Sequence, residues 1–445
     1  MPRSISLQTT KARYIGRNFW RIAKVFTFLT LTQQHYLKSQ RFCSDIAPTN
    51  YPSDFLNDGE DKSTVDVKRQ LRRERLANLR YCLTEEHGAA TPEVADTVGF
   101  VRMMGWDLLG QVVKEPWFLK WPGPDIKPNP VLRSVLLQPE GNPPSSDVPE
   151  TFQSIHLNPA ANEAFRELTL KAGLFYQAGE PNLFPGFPQS SRVLKAIWRR
   201  VPKGGDLKLG VWGGVSGIKN PESPRKASEW SDCVVVDAIG HAPTLDTKCP
   251  GGKVAQHVSV AEFFQFTVED PGAIPVSFLS QKGTPNFGLA NGDTMILVGL
   301  HLASKEIPDW TWSTFWWQPE STQDFPEFVE FVKDKPKSLR EPKQRWKDFV
   351  GNTSISFLYP ASERTATAKG GAYNVIFNPY LEAAELKYGT VSNCMSCHSR
   401  ASTSGTIVRG TVRDSMEIGL ETVKDFEGNT KTDYSWSLAI RTKLP

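Results

Sequence analysis

Two cysteines and a histidine stand in the order Cys-x-x-Cys-His at Cys394, Cys397 and His398, within VSNCMSCHSRAS. That spacing suits covalent haem attachment, zinc ligation, a dithiol–disulfide pair, or a plain structural turn. In haem attachment each sulfur adds to one vinyl group of the ring. Two intervening residues in a helical turn bring the sulfurs to the right separation, and the next histidine faces the iron. Structural zinc needs four protein ligands, whereas this motif offers three and the chain has no second Cys-x-x-Cys. A redox dithiol calls for a strand-to-helix setting, which KYGTVSN before Cys394 does not supply. The residues favour one haem c, held covalently through Cys394 and Cys397, with His398 as proximal iron ligand.

A single-haem electron carrier usually takes a second axial ligand, most often Met or His. Met416 lies 18 residues past His398, and His301 sits in the apolar run ILVGLHLA. Each also has a plain structural reading. Met416 fills a gap in a core, and His301 is a core histidine bonded to backbone. Met103 and Met104 are weaker candidates. Only 47 residues follow His398, too few for a complete small cytochrome domain, so earlier chain is expected to complete the pocket. Trp310, Trp312, Trp316 and Trp317 could wall a haem edge or simply pack a core. Arg400, Arg409 and Arg413 match haem propionates in charge and shape, and solvent would suit them equally. Glu306 and Asp309, beside the tryptophans, read as turn and surface residues.

The elements that must position these groups follow from pattern. The chain of 445 residues carries 33 prolines and 33 glycines, which favours many turns and short strands. TPEVADTVGFVRMMGWDLLGQVV (91–113) reads as partly helical, and NPAANEAFRELTLKAG (158–173) starts on an asparagine with helical spacing. SRVLKAIWRRV, LKLGVWGG, WSDCVVVDAIG and DTMILVGLHLA, all between 191 and 303, read as strands. A helix is expected near PKQRWKDFV and a short one over 379–387. The fold class is α+β, with a helical N-terminal part, a strand-rich central domain, and a mainly α or irregular C-terminal haem c region packed against it. The expected divisions are a basic leader at 1–45, a helical and Pro-rich region at 46–185, the strand-rich domain at 186–345, and the haem region at 346–445.

The formal charge is +4, but residues 1–45 carry eight Lys/Arg and one acid, leaving the rest mildly acidic. Basic charge is therefore not gathered on a folded domain, and nucleic acid is not an expected partner. No apolar run reaches the length of a membrane span. VFTFLTLT behind the basic segment has the shape of a secretory signal. Covalent haem attachment takes place outside the bacterial cytoplasmic membrane, so the expected location is the periplasm. Among six cysteines, Cys233 and Cys249 bracket a turn-rich stretch. A bridge there closes a loop worth about 3 kcal/mol, in an oxidising compartment.

GLHLASKEIPDWTWSTFWW (299–317), FNPYLEAAELKYGTVSNCMSCHSRAS (377–402) and TDYSWSLA (432–439) resemble segments of the bacterial cytochrome c family proteins that carry one Cys-x-x-Cys-His near the C-terminus. The resemblance covers roughly 190–445. It implies haem binding at Cys394, Cys397 and His398 and electron transfer with a redox partner protein or small-molecule donor or acceptor, without a definite substrate. Three functions remain in view: an electron carrier, a haem oxidoreductase or peroxidase-like enzyme with an open distal position where His301 handles protons, and a binding module whose haem is structural or sensory.

Overall fold

A computed structural model describes residues 70, 74, 94–115, 117–118, 151–175, 186–214, 226–238, 248–269, 289–307, 310–323, 331–332, 334–340, 345–355, 376–384, 389–398, 401 and 433. The leader, Asp309, Arg400, Arg409, Arg413 and Met416 lie outside them. The described chain mixes helices with strand-rich sheets.

The main sheet has the order β1 (Phe152–Leu157), β2 (Arg192–Val201), β7 (Thr294–Ser304), β8 (Thr311–Trp317), β9 (Phe349–Ile355), with β6 (Gln265–Thr267) beside the start of β7. All of its pairings are antiparallel. The central strands read VLKAIW, MILVGLHLA and TWSTFWW, rich in the branched and aromatic residues that suit a pleated, buried surface. A smaller sheet pairs β3 (Asp206–Val211) antiparallel and β5 (Gln256–Ser259) parallel with β4 (Asp232–Asp237). Cys233 and Cys249 form a disulfide at its flank. β1 comes from the stretch assigned to the N-terminal region, yet it joins the same sheet as the central strands.

Helix α1 (Val94–Val112) lies across β8 and β9 on one face. Gly105 permits the close approach. A Cβ there would stand 1.9 Å from Thr353 Oγ1 and 2.8 Å from Ser313 Oγ. Trp106 packs on Phe315 with ring centroids 4.6 Å apart. Met104 is fully buried in this core, and α1 presses against β8 from the side that Ser313 and Phe315 face. Helix α2 (Pro159–Phe175) begins as its sequence predicts: Asn158 Oδ1 accepts from Ala161 N at 3.0 Å, and proline stands at the first helical position. The helix expected near PKQRWKDFV is instead a single 3-10 turn, Arg345–Asp348, leading directly into β9. Pairing with β8 outweighs local helix propensity there. No helix among the described residues is long and apolar enough to cross a membrane.

Lys335 is buried beneath that turn, and its Nζ donates to the carbonyls of Lys347 at 2.7 Å and Phe349 at 2.8 Å. Burial pulls its pKa down to about 7, against the opposing pull of Asp348. The folded value lies below the unfolded one. The stability contribution is therefore fully present above the unfolded pKa and is lost as pH falls towards 7. Relative to Lys335→Met, the wild-type chain should gain stability from pH 7 to pH 10, by at most about 1.4 kcal/mol per pH unit. Urea unfolding of both proteins across that range measures it. A pH-independent difference would contradict the assignment.

Candidate functional site

The face of the main sheet opposite α1 carries the site. Side chains alternate along strands, so residues two apart share a face. Leu157, Val193, Ala303 and Trp312 form one row across β1, β2, β7 and β8. Ile155, Lys195, His301 and Thr314 form the next. Helix α2 covers part of the first row. Ala161, Ala164, Phe165 and Leu168 meet Phe187, Ala303, Trp310 and Trp312 in an apolar cluster separate from the main core.

The Cys-x-x-Cys-His motif docks on this cluster as a single helical turn, α3 (Cys394–His398). Asn393 caps it: its Oδ1 accepts from Met395 N at 2.8 Å. An isolated parallel bridge, Ile376 with Asn393, ties the turn to the segment before it, and Cys394 N donates to Ile376 O at 3.2 Å. Met395 is fully buried in the cluster, with Cys394 packed beside it. The His398 ring stacks on Trp312, centroids 4.0 Å apart and planes tilted by 35°. Cys394 and His398 are both half-buried. Cys397 shares the turn, and its side chain is outside those described.

The four tryptophans divide. Trp310 and Trp312 belong to the motif's cluster. Trp316 packs on Phe331 and Trp317 on Phe263, both in the main core. Trp310 has φ 64, a left-handed conformation that is a genuine outlier for a bulky residue. Its indole Nε1 donates to Asp433 Oδ1 at 3.3 Å, and Asp433 also bonds Lys305 Nζ and Phe187 N. Trp312 Nε1, by contrast, is buried without a hydrogen-bond partner.

His301 comes to the motif from β7. Its Nδ1 is 3.9 Å from Cys394 Sγ, whose thiol donates to Ile376 O at 3.4 Å. Its Nε2 is 3.1 Å from Glu382 Oε1, at ion-pair range but off the line a hydrogen bond needs. Glu382 sits on a π-helical turn, Pro379–Ala383, where a short helix was expected. Its Oε2 accepts from Asn378 N at 2.6 Å. Burial pushes the Glu382 carboxyl up, but His301, Lys195 and the Asn378 N–H outweigh it and hold the group below its usual range. Both ring nitrogens of His301 thus face protein groups.

Asn378 fixes this turn. Its side chain accepts from Tyr380 N and donates to Phe315 O at 2.9 Å and Thr314 Oγ1 at 3.2 Å. Glu306, read from sequence as a surface residue, is buried against Arg192 and Ser304 Oγ. Sequence reasoning missed Glu382, Asn378 and Asn393. The asparagines could have been found as polar caps placed just before a turn. Glu382 gives no local signal, because its partner lies on a strand far back in the chain.

Among the described residues, no group of three or more His, Cys, Asp or Glu is gathered to hold a metal ion. Thioether attachment needs none, since each sulfur bonds carbon and one imidazole meets the iron. The residues fit a haem in two respects. The motif is a capped helical turn on an apolar floor, and the Trp312 ring lies against the His398 imidazole and holds it at the edge of that floor. Comparison with protein-family models, with curated proteins and with solved structures returns no match for this chain.

Proposed function

We propose that the protein is an exported mono-haem c-type cytochrome of the single Cys-x-x-Cys-His type, which passes electrons between redox partners. The observation that carries this reading is the capped turn Cys394–His398 seated on the Trp312 cluster. Cys394 and Cys397 would hold the haem, and His398 would be the proximal iron ligand. Each thiol adds across a vinyl double bond, sulfur to one carbon and hydrogen to the next, with no net change in electron count. When bound, the haem supplies one-electron iron chemistry. The protein's part is to hold His398 against Trp312, to keep water from the apolar side of the turn, and to fix Cys394 between Ile376 O and His301. In this reading the C-terminal haem region packs on the strand-rich centre, behind a helical N-terminal part. The Cys233–Cys249 disulfide supports an oxidising compartment such as the periplasm.

A second reading is favoured by the His301–Glu382 pair beside the motif. An imidazole next to a carboxylate suits proton transfer in a haem oxidoreductase with an open distal site. Absorption spectra of the periplasmically matured protein separate the two. The carrier gives a reduced low-spin c-type spectrum unchanged by carbon monoxide. A high-spin iron that binds carbon monoxide would sink the carrier and favour the enzyme.

A further inference from the structure

His301 holds its two ring nitrogens against unlike partners. Nδ1 is 3.9 Å from Cys394 Sγ, and Nε2 is 3.1 Å from Glu382 Oε1. Other histidines of the fold have plainer surroundings. His156 Nε2 meets Ser154 Oγ at 2.8 Å within the core, and His257 Nδ1 meets Asp237 on the surface. A thiol, an imidazole and a carboxylate in that order are the parts of an activated nucleophile, in which a base faces the thiol and a third group orients the base. The 3.9 Å separation is long for a finished hydrogen bond, as such contacts often are before a reactant arrives.

Each part comes from a different segment. His301 lies on β7, Cys394 opens α3, and Glu382 sits on the π-helical turn, where Asn378 N holds its other oxygen at 2.6 Å. A carboxylate beside Nε2 favours a proton on that nitrogen and leaves the Nδ1 lone pair towards the sulfur. The Cys394 thiol donates to Ile376 O at 3.4 Å. The sulfur therefore lies within reach of two acceptors, a backbone carbonyl that cannot take its proton away and an imidazole that can. Besides Glu382, the charged or titratable groups brought to this pair are Lys195, opposite His301 on β2, and His398, one turn along α3. β8 presents the neutral Thr314 opposite His301, and α2 presents apolar residues. Lys195 and a protonated His301 both favour a thiolate.

We propose that His301 is the general base that takes the Cys394 proton as the seated motif adds to a haem vinyl group, with Glu382 as the residue that positions the imidazole. This rests on the reading of the motif as a haem site. The S–H bond breaks and its proton passes to His301 Nδ1. The sulfur pair forms the new bond to the vinyl carbon next to the ring, and His301 returns the proton to the terminal carbon. One S–H and one C=C give way to one C–S and one C–H, nothing is oxidised or reduced, and the imidazole ends neutral. Cys394 is half-buried, so a small electrophile reaches it in the seated turn.

The full chain, expressed without the haem attachment machinery and gently reduced, tests it. Iodoacetamide labelling followed by peptide mass mapping reads Cys394 by itself across about pH 6–9. His301→Gln should slow labelling about threefold near pH 6.5, because a one-unit rise in thiol pKa costs tenfold in thiolate and regains part of it in nucleophilicity. The difference should vanish above about pH 9, where both chains carry thiolate. A merely loosened turn would change the rate at every pH. Glu382→Gln keeps the shape and removes the charge, and should shift the profile the same way by less. If His301→Gln does not fold, Glu382→Gln decides through the same profile. With the attachment machinery present, His301→Gln should gain covalent haem more slowly than wild type. Unchanged labelling profiles in chains that load haem at the wild-type rate would overturn the inference and leave the haem reading standing. A wild-type chain that takes up no haem would overturn the vinyl addition and the haem reading together.

Discussion

Expressed with the c-type haem attachment machinery, the wild-type chain will carry haem through a denaturing gel, and the Cys394→Ala/Cys397→Ala variant will carry none. A non-covalent haem is released by denaturation, whereas two thioether bonds survive it, so the expected difference is complete loss. Each single alanine variant keeps one possible thioether and should retain partial staining, with an unreacted vinyl group visible in its pyridine haemochrome. His398→Ala leaves both sulfurs in place. Its haem should stay attached with an altered iron spectrum, which separates attachment from ligation. Unstained wild-type protein, with zinc found by elemental analysis, would replace haem by metal ligation. Staining that persists in the double variant would place attachment elsewhere.

The second large effect is on stability. Asn378→Ala should lower the unfolding free energy by about 3 kcal/mol, because buried partners left unpaired each cost about 1–3 kcal/mol. The groups stranded are Tyr380 N and Phe315 O, with Thr314 Oγ1 alongside. Gly299 is tied to the same outcome. A Cβ there would lie 2.7 Å from both the oxygen and nitrogen of the Asn378 amide. Gly299→Ala should therefore destabilise on its own, through overpacking, by about 1–3 kcal/mol. In the Asn378→Ala background the clash is gone and the same substitution should cost little. A double-mutant cycle by urea unfolding reads this coupling, and additive effects would show that the two residues do not share the space.

What could be read in the sequence follows from how local each determinant is. The strands around Val193 and Leu297 announce themselves by composition, and α2 by its leading asparagine and helical spacing, whereas TWSTFWW stood out only as a tryptophan cluster and proves to be strand β8. The Cys-x-x-Cys-His turn is legible because five adjacent residues carry the whole pattern. β9 was not legible. FVGNTSI contains glycine and asparagine, and it becomes a strand because β8 offers a partner and α1 covers it. The division of the tryptophans was hidden for another reason. Trp312 and Trp316 share a strand face in a period-two pattern, yet α2 and the motif cover only one end of that face. The His301–Cys394–Glu382 neighbourhood joins three segments whose proximity no spacing encodes.

The seat on which the motif rests has a consequence for the order of events in making the protein. α2, β7 and β8 all precede Cys394 in the chain, so a chain emerging from its N-terminus presents most of the cradle before the cysteines arrive, and only Asp433, which bonds Trp310, Lys305 and Phe187, comes after them. Burying Met395 in that cradle hides one side of the turn. On the haem reading proposed above, docking and covalent modification compete for the same few residues. A chain that docks quickly would shield its own thiols from the attaching enzyme, and one that docks slowly would leave them open to it. Tight packing beneath Met395 would then time maturation as well as support the finished site.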